Sequence, residues 1–137
     1  MSSFQKQVQA QTRLVRRRMK AVRDQSTLDV VNRAQRKRTE GGRMRVDTGF
    51  LRSSGKARAN QMPSGDNVNP GDETFKWDDE QLSRVLVENG LGNVIFFGWT
   101  ANYARPREYE DSFLRLAVQK WGRIVDKNAK RAQRLIR

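Results

Sequence analysis

Cysteine and histidine are both missing from this 137-residue chain, and proline occurs only three times. Without Cys there can be no disulfide framework, thiolate metal site or thiol nucleophile. Without His the chain loses the side chain that most often does acid/base work near neutral pH and most often ligates transition metals. Long apolar runs are lacking too. No stretch approaches the roughly 20 residues that span a bilayer, and the N-terminus has neither a hydrophobic signal core nor a small-residue cleavage site. The sequence therefore predicts a protein made in, and kept in, the cytosolic compartment, with no membrane partner, cofactor or small-molecule substrate. Aromatics are few, at 3 Trp, 2 Tyr and 6 Phe, and hydrophobic residues make up 36%. That composition furnishes one modest core, so a single domain with extensions is expected.

Positive charge is in excess. The net charge is +13, and a body of this size suffers self-repulsion unless a polyanion or an acidic partner neutralises it. The excess sits at the two ends. Residues 1–45 hold 13 Lys/Arg against 3 Asp/Glu, residues 46–100 hold 5 against 8, and residues 101–137 hold 10 against 4. Two basic ends flank a slightly acidic middle.

From Ser3 to Arg38 there is no Gly or Pro, and Phe4, Val8, Val15, Met19, Val22, Val30 and Ala34 recur in helical steps. This predicts one long, narrow-striped helix ending at Gly41 and Gly42, on the order of 50 Å long, which must lie across a neighbour or protrude. The division expected is a basic helix or arm over 1–40 and a single α+β domain over 41–137. Within that domain 62–72 (MPSGDNVNPGD) has the composition of a flexible loop. Leu82–Glu88 and Val94–Trp99, separated by a Gly/Asn-rich stretch, read as a β-hairpin, with Lys56–Gln61 and Thr74–Trp77 as further short strands. A last helix is expected to start near Asp111 or Ser112, either of which can cap it, and to pack on the sheet.

Arg13, Arg16, Arg17, Arg18 and Lys20 form the densest basic cluster. They are candidates for sequence-independent phosphate contact, set against the alternatives of a solvated helix face or one paired with an acidic protein. No zinc finger, helix-turn-helix or RNA-recognition signature accompanies them. Asp78, Asp79 and Glu80, with Asp72 and Glu73, lack any metal-binding spacing and read as a solvated acidic turn. Gly90, Gly92 and Gly98 read as turn glycines, and Ser53 and Ser54 have no His to activate them. No catalytic residue and no metal ligand is assigned, and no enzyme is expected.

The stretch Val46–Ser54, VDTGFLRSS, is more distinctive. Its Asp47, Thr48, Gly49, Leu51, Arg52 and Ser54, following a long N-terminal helix, resemble the signature of the siphophage head–tail joining family, variously called neck, tail-completion or minor tail proteins. Tyr103, Ala104, Glu108, Phe113, Leu114 and Ala117 are similar to that family's second block, entering the last helix. Glu110 stands where the family's pattern leads one to expect glycine, and Arg105, Pro106 and Arg107 replace a more apolar stretch. The resemblance implies a virion protein of the neck or tail, assembled in the host cytoplasm. Its partners would be copies of itself in a ring, expected to be a hexamer, together with neighbouring neck and tail proteins and genomic DNA in the lumen. The residues themselves suggest scaffold roles: Asp47 and Thr48 accepting backbone N–H groups at a turn, Gly49 supplying a positive φ, and Leu51 anchoring the turn to the core. The alternative from another class is a free, non-sequence-specific nucleic-acid-binding protein. An enzyme acting on nucleic acid comes third.

Overall fold

A computed structural model describes residues 2–71 and 73–137. The α+β class expected from the sequence is what it shows: a long N-terminal helix, a two-stranded antiparallel sheet and a C-terminal helical region. Helix α1 spans Ser3–Ala34 and begins in a capping box, with the Ser2 hydroxyl accepting from the Gln5 N–H and the Gln5 side chain accepting from the Ser2 N–H. It ends at Ala34, short of the stop expected at Gly41 and Gly42. The chain turns away because Gln35 and Met44 are both buried completely and pull it into the body. Lys37 then bridges Met44, and Gly41, at φ 85°, closes a short 3-10 turn over Arg38–Glu40 rather than α1 itself.

One helical turn, α2 (Phe50–Ser53), leads into strand β1 (Gly55–Ala59), whose partner is β2 (Ile95–Trp99) in the register Gly55 to Trp99, Ala57 to Phe97 and Ala59 to Ile95. The strand expected over Lys56–Gln61 and the one over Val94–Trp99 are thus paired with each other. The hairpin expected between Leu82–Glu88 and Val94–Trp99 does not form. Glu80–Glu88 is helix α3, because Leu82 and Leu86, four residues apart, both bury against Val31 and Ala57. The Asp78 carboxylate accepts from the Glu80 N–H at 3.0 Å and opens this helix. Thr74–Trp77 is not a strand either. The outer edge of β1 is met instead by Gln81 of α3, whose amide accepts from the Ala57 N–H at 2.9 Å and donates to the Ala57 carbonyl at 2.8 Å.

The last helix is broken into α4 (Ala104–Asp111), α5 (Phe113–Val118) and α6 (Trp121–Leu135). Ser112 stands between the first two at φ 55°, a left-handed conformation that ends α4. The C-terminal region reaches the sheet through Phe113, edge-on to Trp99 with ring centroids 5.1 Å apart, while α6 lies along α1. Buried Asn128 of α6 donates to the Ser26 hydroxyl and the Asp29 carboxylate of α1, which sets the register of that pair. The stretch 62–71 has no regular structure, yet Asn67 bridges Ala101 and bonds Thr100, so its middle is tied to the body.

Candidate nucleic-acid interface and motif cleft

The five basic residues of α1 separate into two kinds. Arg13, Arg16 and Arg17 are exposed on the helix surface. Arg18 instead donates from Nε to the Ile136 carbonyl at 2.8 Å, and Lys20 is held by the Asp24 carboxylate at 2.6 Å and the Leu86 carbonyl at 2.9 Å. These two tie the body together and leave three cations free for a polyanion.

The Arg18 contact also brings the C-terminal end of α6 beside the basic cluster. That helix presents Arg123, Lys127, Lys130, Arg131 and Arg134, all exposed, with only Lys130 paired, to Asp126 at 3.5 Å. In the sequence these cations appear only as part of the basic C-terminal end. The signal that would have promoted them is the alternative, apolar face of α6, with Trp121, Val125 and Ala129 four residues apart, which turns the cations outward. The C-terminal end of α6 thus lies beside the α1 cluster, while its cations form a basic face of their own.

The two motif blocks, some fifty residues apart in sequence, are also brought together. Leu51 from the first packs with Phe113 and Ala117 from the second, along with Ala34 and Met44, while Phe50, Tyr103 and Ala104 pack against that cluster. Gly49 begins α2 at φ 85°, and a Cβ there would collide with the Phe75 carbonyl oxygen. Thr48 accepts from the Phe50 N–H at 3.3 Å and from the Asn69 amide at 3.2 Å. Asp47 stays exposed, so the turn is built on Thr48 and not on the pair expected. Arg52 donates to the Gln35 carbonyl at 2.8 Å, and its guanidinium lies 5.7 Å from the centre of the Trp77 ring. The Ser53 and Ser54 hydroxyls bond back to the carbonyls of Phe50 and Leu51. Glu108 has a role that spacing did not reveal: its carboxylate accepts from the Leu114 and Arg115 N–H groups at 2.8 and 2.9 Å, capping α5 in place of Ser112.

Between the blocks lies a cleft of about 440 Å³, with Thr48 and Gly49 on one side and Tyr103 and Arg107 on the other. Burial raises the Tyr103 hydroxyl above its ordinary pKa, against the opposing influence of a backbone hydrogen bond from Leu51 and the charge of Arg107. Behind the cleft Asp111, 1% exposed, gathers Arg45 at 2.9 Å and Arg38 at 3.4 Å. Burial alone would push this carboxyl up. The Arg45 hydrogen bond and the charges of Arg45 and Arg38 overcome it, and the carboxyl sits below its ordinary value. Arg45 also reaches Glu110, at the position where the family resemblance leads one to expect glycine.

Among the described residues no group of three or more Asp or Glu is placed to hold a metal ion, and Asp72 of the acidic stretch lies outside them. No described helix is long and apolar enough to cross a membrane. Comparison with family models, with curated proteins and with solved structures gives no match.

Proposed function

We propose that this protein is a structural subunit of a tailed-phage neck or tail-completion ring, through which DNA passes, and not an enzyme. The observation that carries the reading is the convergence of the Thr48–Leu51 turn with Tyr103, Ala104, Phe113 and Ala117 in one core cluster, since sequence blocks that pack together behave as one framework. The exposed cations of α1 and α6 suit weak, reversible phosphate contact, which is what a conduit for DNA requires. The expected hexamer, the neighbouring neck and tail proteins and the virion location belong to this proposal. The test is negative-stain imaging and mass measurement of the purified protein, alone and mixed with tail tubes. Rings, or caps on tube ends, are the expected result. A monomer that ignores tubes overturns the proposal.

A second reading, a free nucleic-acid-binding protein, is favoured by the basic faces already being exposed on the single chain. Nanomolar duplex binding by the monomer, surviving physiological salt, would establish it instead.

A further inference from the structure

Residues 2–13, the start of α1, are all exposed. The capping box at Ser2 and Gln5 keeps this arm helical to its tip. Phe4 and Val8, at 72% and 48% exposure, lie four residues apart on one face. In a chain of net +13, residues 2–12 carry a single charge, Lys6, among serines, glutamines and a threonine.

The body carries a largely apolar groove between α1 and α6, with a volume of about 560 Å³, lined by Val15, Met19, Val22, Trp121 and Val125, with Arg18 and Arg23 on its wall. Met19 and Trp121 are 55% and 42% exposed there. Arm and groove cannot meet within one molecule. Both are built on the same helix, and the rise from Phe4 to Val15 is on the order of 16 Å of stiff rod with no hinge.

We propose that the arm of one copy, led by Phe4 and Val8, seats in the α1–α6 groove of a second copy. Charge selects this occupant. Arg18 and Arg23 on the groove wall repel the basic faces of a second copy, whereas the arm, whose one cation is Lys6, is the stretch of that copy that meets least repulsion there. The contact is head-to-tail, the kind that closes into a ring or runs on as a filament. A twelve-residue arm covers less than the roughly 800 Å² per partner of a standard interface, so each contact is weak and closure supplies the avidity. The inference rests on the self-assembly part of the function proposed above and is independent of DNA.

Because the chain has no cysteine, two single-cysteine variants test it directly: Gln11→Cys, on the face of Phe4 and Val8, and Gln133→Cys, at the groove. Mixed in equal amounts and mildly oxidised, they are expected to give the mixed disulfide well beyond the roughly twofold excess over either symmetric one that random pairing produces, and a random ratio overturns the contact. Dominant symmetric Gln11→Cys disulfides would mean that arms pair with arms, and the proposal falls. In sedimentation equilibrium of the full chain, the doubly substituted Phe4→Asp/Val8→Asp protein, altered only at exposed positions, should self-associate at least about tenfold more weakly. If it assembles as the parent does, the arm–groove contact is wrong and another surface builds the assembly. If the parent itself stays monomeric to hundreds of micromolar, the contact and the ring fall together.

Discussion

Replacing Gln35 with leucine should cost this protein a large part of its stability, and the structure indicates how much. Gln35 is fully buried where α1 ends. Its amide nitrogen donates to the Arg52 carbonyl at 2.9 Å, and its amide oxygen accepts from the Trp99 indole N–H at 3.0 Å. Leucine keeps most of the volume and leaves both partners without it. Each orphaned buried group costs about 1–3 kcal/mol. The Arg52 carbonyl also accepts from the Ser54 N–H and Trp99 is only half-buried, so both losses fall in the lower part of that range. The added apolar burial returns about 1 kcal/mol. The net expectation is a loss of roughly 1–3 kcal/mol, or about 3–12 °C in melting temperature at this chain length. Urea unfolding followed by tryptophan fluorescence measures it directly, because Trp99 reports from the site, and the m-value should not change. A loss below about 0.5 kcal/mol would show that water or a shifted side chain satisfies the indole, and would remove Gln35 from the account of how α1 is terminated.

Asp111→Asn should flatten the acid limb of the stability curve. A carboxyl lowered in the folded state stabilises above its unfolded value, near 4, and that contribution fades as pH falls through the folded value. Unfolding midpoints between pH 2 and 6 should therefore converge for parent and variant at the acid end. Glu108→Ala should destabilise by about 1 kcal/mol through loss of the α5 cap, measured by thermal melting, with Glu108→Gln recovering part of it. Gly49→Ala, strained at φ 85° and colliding with the Phe75 carbonyl, should cost about 2 kcal/mol or more and lower the yield of folded protein. Arg13→Gln, Arg16→Gln and Arg17→Gln together should reduce the slope of log binding constant against log salt on duplex DNA by about 2–3. Substituting Arg18 should leave the slope nearly unchanged and lower stability instead.

Local chemistry in the sequence was enough for the long helix, for β1 and β2 as extended stretches, and for the turn at Gly49. A run of forty residues without Gly or Pro has few alternatives to helix over most of its length, and Gly49 takes a conformation that side chains resist. It was also enough for the charge, which no fold can hide at +13. The strand pairing was decided elsewhere. Leu82–Glu88 has the composition of a strand as readily as of a helix, and only the cluster formed by Val31, Ala57, Leu82 and Leu86 rewards the helical spacing. With that segment helical, β2 was left to pair with β1 some forty residues away.

The candidate interface divides along the same line. Adjacency along the chain grouped Arg13, Arg16, Arg17, Arg18 and Lys20, but which of them remain free depends on Ile136 and Leu86, groups that come alongside only when α6 and α3 pack on α1; only the Lys20–Asp24 pair, one helical turn apart, is local. The convergence of the two motif blocks and the burial of Asp111 beneath Arg38 and Arg45 are likewise tertiary. The sequence determined which residues carry charge and where the backbone must bend, because those are properties of single residues and their near neighbours. The tertiary structure decided which charges are spent on the fold and which face outward, because that depends on partners whose distance in sequence carries no information about their distance in space.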